Sequence, residues 1–186
     1  MPRVQTEWVR YLLVPLLAAT LAATATAATV DPQDLVIRST DVPKGYVLVR
    51  AESGLRTNEL EARETPATRE LFRRLGRVTG YQVMFKRGPR TIEARADVFR
   101  SWTGARELLR RADREARLAG VKALKRSRAR VGAEAWLYTG GSPPYASFVF
   151  WRYGRVWAGL GGRGMTKQRA LELARIQQNR MAAALR

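Results

Sequence analysis

The sequence contains no cysteine and no histidine. Without histidine the chain lacks the commonest general base and metal ligand, and without cysteine it lacks the most nucleophilic side chain. Ser-His and Cys-His mechanisms are therefore excluded, and the sequence predicts no catalytic residue, no metal site and no cofactor. The missing cysteine also excludes a disulfide framework and a lipid-modified cysteine, so an ordinary hydrophobic core must hold the fold together.

Charged residues are absent from one long stretch near the start of the chain, from Tyr11 to Val30. Two arginines precede this stretch and small residues end it, and Ala25-Thr26-Ala27 fits the small-x-small rule of signal peptidase. The pattern predicts a signal peptide over residues 1–27 and one secreted or extracytoplasmic domain over residues 28–186. The alternative is an uncleaved anchor, because twenty uncharged residues can cross a bilayer of ~30 Å as a helix.

Acidic residues are scarce: 16 Asp and Glu stand against 34 Lys and Arg, a formal net charge of +18. Removing Arg3, Glu7 and Arg10 with the signal peptide would leave +17. A field of this sign attracts anionic envelope polymers, anionic lipid surfaces and nucleic acid, and no feature supports nucleic acid in particular. Of the basic residues 29 are arginine, which fits either bidentate phosphate contacts or a GC-rich genome.

The periodicity of apolar residues predicts an α+β domain. Its sheet is mostly antiparallel, with about six or seven strands and helices packed on both faces. The predicted elements are a short helix after Asp31-Pro32, a strand over 45–51, a surface loop over 52–65, a helix from Thr65 to Gly80, strands over 81–87 and 91–100, a helix over 103–119, strands over 121–131, 134–139, 145–152 and 155–160, and a helix over 166–184.

Two strand patterns predict which faces of the sheet are covered. Along 92–98, apolar residues alternate with Glu93, Arg95 and Asp97, which indicates a buried face and a wet face. With a Tyr153-Gly154 turn, both faces of the last hairpin are apolar, so helices should cover this hairpin above and below, as in a three-layer α-β-α sandwich.

The densest positive region combines one face of the third predicted helix with the strand that follows it. If the two lie side by side they form a polyanion-binding surface. Alternatively, the strand is a charged sheet edge that resists pairing with other chains. The candidate residues are Arg106, Arg110, Arg114, Arg117, Lys122, Lys125, Arg126 and Arg128.

Half of the 16 aromatic residues lie between Trp136 and Trp157. Together with Arg152 and Arg155 they predict either a stacking platform for bases or sugars or, as period-2 aromatics usually do, a core. Tyr145 and Tyr153, at a loop and a turn, are the residues expected outside that core.

Two further patterns have a functional and a structural interpretation. The acidic residues are interpreted as solvated or salt-bridged, and the alternative is a carboxylate pair of an enzyme acting on an acidic polysaccharide. Residues 159–164 match GxGxxG, but no second strand follows, so a flexible turn is favoured over phosphate binding. Arg163 and Lys167 leave single-anion binding at this turn as the alternative.

Three short segments carry a family resemblance. The Asp41–Tyr46 segment, the Gly132–Trp136 segment and the Phe148–Val156 hairpin before a terminal helix resemble small secreted actinobacterial domains of uncertain function. That group includes lipoprotein and kinase-ectodomain relatives with a PsbP-like α-β-α sandwich. The resemblance implies this fold and an envelope location, and it implies no catalytic residue. The resulting hypothesis is a non-catalytic extracytoplasmic domain that binds or senses an anionic envelope component. The alternatives are the carboxylate enzyme and a structural protein-interaction module.

Overall fold

The structure, a computed structural model, describes residues 30–118, 124–140 and 146–186. The predicted signal peptide, Lys122 and Tyr145 lie outside these residues, as does most of the loop expected at 140–144. Among the helices that the structure describes, none is both long and apolar enough to span a membrane.

The described residues form eight strands and four α-helices, which confirms the α+β class. Two short 3-10 helices, Pro32–Leu35 and Arg50–Glu52, accompany them. The strands are β1 (Val47–Leu48), β2 (Gly54–Leu55), β3 (Arg77–Arg87), β4 (Arg90–Phe99), β5 (Leu124–Arg128), β6 (Glu134–Gly140), β7 (Ala146–Tyr153) and β8 (Val156–Arg163). The helices are α1 (Asn58–Glu64), α2 (Ala67–Leu75), α3 (Trp102–Leu118) and α4 (Lys167–Ala184).

All strand pairs are antiparallel, in the order β1-β3-β4-β8-β7-β6-β5, and β2 also pairs with β3. The sheet therefore has eight strands, one more than the upper end of the predicted range. β5 forms one edge, whereas the two-residue strands β1 and β2 share the outer side of β3 at the other. The aromatic hairpin β7–β8 occupies the middle of the sheet, as its two apolar faces predicted.

Helices cover both faces of the sheet. On the α4 face, helix α4 and the first 3-10 helix cover a large core that includes Trp151, Leu160 and Leu173. On the α3 face, helices α2 and α3 cover a smaller cluster around Leu109 and Trp157. The α-β-α layering therefore matches the prediction. The buried cluster on the α4 face is larger than the cluster on the α3 face.

The surface loop predicted over 52–65 is wrong, because this segment contains β2 and α1. Helix α1 begins after Thr57, whose hydroxyl accepts a hydrogen bond from the backbone N–H of Leu60 at 3.1 Å. Such a cap satisfies an amide at the helix start that has no partner inside the helix. The helix brings Glu61 to 8% exposure, which a polar loop would not do.

Helix α2 ends at Gly76, not at the predicted Gly80. Gly76 has φ of 68°, a left-handed conformation that ends helices and that glycine adopts without strain. Val78 consequently belongs to β3, where its side chain is 51% exposed, and not to the buried face of a helix.

The turn of the last hairpin is Gly154-Arg155, so the predicted Tyr153-Gly154 turn is wrong by one residue. Tyr153 pairs with Val156 and Phe150 with Gly159. Each residue of β7 therefore pairs with the residue of β8 two places beyond its predicted partner. A shift of two residues leaves each side chain on its predicted face.

The GxGxxG stretch was predicted as a flexible turn, but its first residues lie inside β8. A Cβ atom on Gly161 would overlap the ring of Phe148, its neighbour on β7. The glycine therefore accommodates an aromatic ring, and the loop that a pyrophosphate site needs is absent from this position.

Candidate functional site

Helix α3 packs over β4, β7 and β8 and carries the predicted arginine stripe on the side nearer to β5 and β6. Ala105 and Leu109 are fully buried against the sheet and fix the rotation of the helix. Arg106 reaches β6, where its Nε lies 3.3 Å from a carboxylate oxygen of Glu134. The helix therefore reaches β6, the neighbour of the basic strand β5 whose adjacency to the helix the sequence left open.

Asp113 joins α3 to the edge strand β5 and to its neighbour β6. Its carboxylate accepts two hydrogen bonds from Arg126 of β5, at 2.6 and 3.1 Å, and one from the hydroxyl of Tyr138 on β6. Arg117 adds an ion pair at 3.3 Å. Burial alone would raise the pKa of Asp113, but these donors and charges hold it below its usual range. Burial and the adjacent Asp113 raise the pKa of Tyr138 to about 12, so the hydroxyl stays protonated and donates.

Two arginines of β5 lie over the ring of Trp136. The guanidinium carbons of Arg126 and Arg128 are 3.4 and 5.1 Å from the ring centroid. Residues two apart on a strand share a face, and Arg128 pairs in register with Trp136. Cation–π attraction at these distances holds both guanidinium groups in place.

A second tryptophan with two arginines lies at the start of α3. Trp102 is 51% exposed, and the guanidinium carbons of Arg106 and Arg152 lie 5.9 and 5.6 Å from its ring centroid. The Nε of Arg152 is buried without a hydrogen-bond partner among the described residues, whereas its Nη1 donates to the carbonyl of Gly154. Sequence reasoning missed Trp102, since only the fold brings it close to Arg152.

We call this surface the basic flank. Six basic side chains stand there against the carboxylates of Glu107, Asp113 and Glu134, an excess of three positive charges. Its basic residues are Arg106, Arg110, Arg114, Arg117, Arg126 and Arg128. Within the described part of the chain, Arg110 has no hydrogen bond or ion pair, and Arg128 contacts only the Trp136 ring.

Other predicted site residues lie elsewhere. Lys125 alternates with Arg126 and points to the opposite face of β5. Tyr153 packs against the core on the α4 face, so it is not a free stacking surface. Arg155 lines a separate cavity of about 470 Å³ together with Leu55 and Val78.

A different kind of site begins between α2 and α3 and continues over β4, β7 and β8. Two adjoining cavities of about 200 and 330 Å³ meet at Arg95 and Trp157. We call them together the aromatic cleft. The smaller cavity is lined by Glu93, Arg95, Phe148, Phe150, Trp157, Gly159, Leu160 and Gly161.

The predicted wet face of β4 is wrong at this cleft. Asp97 is 1% exposed and pairs at 2.6 Å with Arg77, whose side chain is fully buried. Arg95 bridges Asp97 and Glu61 at 3.0 Å each. The alternation along β4 was predicted correctly, but α1 and α2 cover its polar face and replace solvent with a network of ion pairs.

This network bears on the alternative of a carboxylate-dependent enzyme. The Arg95 guanidinium lies between Glu61 and Asp97. Burial raises the pKa of Glu61, but Arg95 and Arg56 outweigh it and hold the pKa below its usual range. A carboxylate kept ionised in this way cannot donate a proton as a general acid at neutral pH. Among the described residues no cluster of acids has the geometry of a metal site.

No family model and no curated protein sequence matches the chain. Among solved structures it is similar to the crystal structure of the extracellular domain of PknH from Mycobacterium tuberculosis, at 10% identity with a TM-score of 0.47. That similarity covers 81% of this chain and 94% of that one. A likeness this weak carries no argument about what the chain does.

Proposed function

We propose that this chain is a non-catalytic extracytoplasmic domain that binds an anionic envelope polymer through the basic flank. The observation that carries the proposal is the excess of three positive charges on one surface, where Arg110 and Arg128 have no acidic partner among the described residues. Unpaired arginines on a rigid helix and strand are free to contact phosphate or carboxylate groups.

The ordering of the flank supports the same function. Asp113 and Trp136 fix Arg126 on β5, and Trp102 lies between Arg106 and Arg152. An ordered guanidinium loses less conformational entropy when it binds. The predicted export signal would place a domain of this charge among anionic envelope polymers, which is the environment where the flank has ligands.

The test is binding at two salt concentrations to three probes: a wall polymer rich in phosphate, vesicles of phosphatidylglycerol, and duplex DNA. Binding to the wall polymer is expected to be the tightest and to weaken with salt, because each neutralised anionic group releases counterions. The double variant Arg110→Gln/Arg128→Gln should lower the affinity. The slope of log affinity against log salt concentration should also become shallower, by about one unit for each phosphate that no longer has an arginine partner.

A matched control removes the same charge elsewhere. Arg69 and Arg74 are exposed on α2, across the aromatic cleft from the flank. Arg69→Gln/Arg74→Gln should leave binding close to that of the unchanged protein. Equal reductions in affinity from the two double variants would mean that net charge alone attracts the polymer, and no salt-sensitive binding to any probe would overturn the proposal.

A further inference from the structure

The aromatic cleft contains a carboxylate that the fold leaves without a partner among the described residues. Its lining has four carboxylates, from Glu61, Glu93, Asp97 and Glu115, but only the two guanidinium groups of Arg95 and Arg111. Arg56 and Arg77 approach these carboxylates from behind the lining, so four acids face four arginines and the cleft lacks the positive excess of a chain of net charge +18.

Three of the four carboxylates are paired. Arg56 and Arg95 contact Glu61, Arg77 and Arg95 contact Asp97, and Arg111 contacts Glu115 at 2.6 Å. Glu93 makes no hydrogen bond and no ion pair with any residue that the structure describes.

Neighbouring charges do not fully offset the effect of burial on the pKa of Glu93. The side chain is partly buried beside the rings of Phe148 and Phe150, and this burial raises the pKa of Glu93. Arg95 and Arg56 lower that pKa by their charges and Glu52 raises it, and the net direction is upward. A carboxylate held partly out of water in this way destabilises the free protein when it is ionised.

Aromatic rings surround this carboxylate. Phe150 and Trp157 stack at 5.9 Å between centroids, and Phe148 lies beside them over the glycines of β8. The indole N–H of Trp157 is buried without a hydrogen-bond partner among the described residues. A cavity lined by aromatic rings, with one unpaired acid, has the composition that recognises ammonium groups, through cation–π attraction and direct charge pairing.

We infer that the aromatic cleft binds a small organic cation, an ammonium group on an apolar body, with Glu93 as its counter-ion and Phe148, Phe150 and Trp157 as its walls. No residue that lines the cleft belongs to the basic flank, so the cation site does not depend on polymer binding at the flank.

The experiment uses two probes of nearly the same shape. Phenethylamine carries an ammonium group where 2-phenylethanol carries a hydroxyl. Binding is followed on the full folded domain by the NMR shift of the Trp157 indole N–H, which the Trp157→Phe variant assigns. We expect saturable binding of phenethylamine and at least tenfold weaker binding of 2-phenylethanol.

Two variants locate the charge that matters. Glu93→Gln keeps the shape of the side chain and should weaken phenethylamine binding at least tenfold, without changing polymer binding to the basic flank. Glu115→Gln is the matched control, because it removes a lining carboxylate that is already paired with Arg111. It should change phenethylamine binding less than threefold.

Three results would overturn the inference: no saturable phenethylamine binding, equal binding of the two probes by the unchanged protein, or equal weakening of phenethylamine binding in the two variants. The comparison of the two probes is made on the unchanged protein and needs neither glutamate variant, so it decides the matter even if Glu93→Gln or Glu115→Gln impairs folding. Neither probe carries a negative charge, so failure here leaves the polymer-binding proposal standing.

Discussion

Helix α3 separates two clusters of arginines and carboxylates that differ in their contact with water. On one side, Arg77 and Asp97 pair at 2.6 Å with side chains 0% and 1% exposed. On the other, Arg126 pairs with Asp113 at the same distance, with side chains 33% and 9% exposed. The two pairs have the same chemistry and the same length, so they differ chiefly in burial.

Burial changes what the removal of one partner does. In the buried cluster, the donors of Arg77 are directed at fixed acceptors, which include Asn58 and the carbonyl of Arg56 besides Asp97. Removing the arginine leaves Asp97 without access to water and with Arg95 as its one charged partner among the described residues. In the basic flank, water and neighbouring arginines replace a missing partner at a small cost in free energy.

The largest expected effect is that of Arg77→Met, which leaves Asp97 buried without its main partner. The free energy of unfolding should fall by about 3–5 kcal/mol, measured by urea denaturation at neutral pH. Arg73→Met is the control, because Arg73 pairs with Glu70 on the exposed face of α2 and its removal should have no measurable effect. Similar destabilisation by the two variants would show that burial does not distinguish the clusters.

Asp113→Asn should have an intermediate effect. The free energy of unfolding should decrease by about 1–2 kcal/mol, because the substitution weakens charged hydrogen bonds to partly exposed partners. The folded-state pKa of Asp113 lies below its ordinary value, so its stabilisation is present above that value and disappears as the pH falls through the folded pKa. The difference in unfolding free energy between the variant and the unchanged protein should therefore be smaller at about pH 2.5 than at about pH 7.

The same variant should also change binding. Asp113→Asn removes a negative charge from the basic flank and releases Arg117 and Arg126. Polymer binding, measured as for the unchanged protein, should become tighter as folding becomes less stable. Weaker binding would mean that polymer affinity depends more on the fixed positions that Asp113 gives to Arg117 and Arg126 than on the negative charge that it adds to the flank.

Glu93→Gln should have the smallest effect and the opposite sign. Burial raises the pKa of Glu93 in the folded protein. Protonated Glu93 therefore stabilises the folded state below the ordinary pKa, and this stabilisation is lost as the pH rises through the folded-state pKa. At about pH 7 the variant should be more stable by up to about 0.5 kcal/mol, and the difference should vanish near pH ~3. A destabilised variant at neutral pH would show that Glu93 has an internal role in the fold.

The regions predicted well from the sequence are those with strong periodicity. Helix α4 begins after Thr166, whose hydroxyl accepts from the amide of Arg169, and it ends at Ala184 as predicted. The β3–β4 hairpin follows from alternation on both sides of Gly88-Pro89. These patterns are local, because each residue's position follows from neighbours a few places away.

The regions predicted poorly depend on contacts between distant segments. Asp97 has the pattern of a solvent-facing acid, and only the arrival of Arg77, twenty residues earlier, makes its burial tolerable. Glu61 and α1 were missed for the same reason, because polar residues at 52–65 match a loop unless something distant covers them. Trp102 and Arg152 likewise meet only after α3 packs beside β7.

Composition and the spacing of neighbouring residues were enough to establish the fold class, the absence of histidine and cysteine chemistry, the strong positive charge and the two apolar faces of the last hairpin. The pairing of charges, in contrast, depends on the three-dimensional arrangement of the elements. The fold brought α3 within ion-pairing distance of β5 and β6, buried Asp97 with Arg77, and left Glu93 without a partner among the described residues. Ion pairs depend on distances of a few ångströms between residues far apart in the chain, and local spacing does not encode those distances.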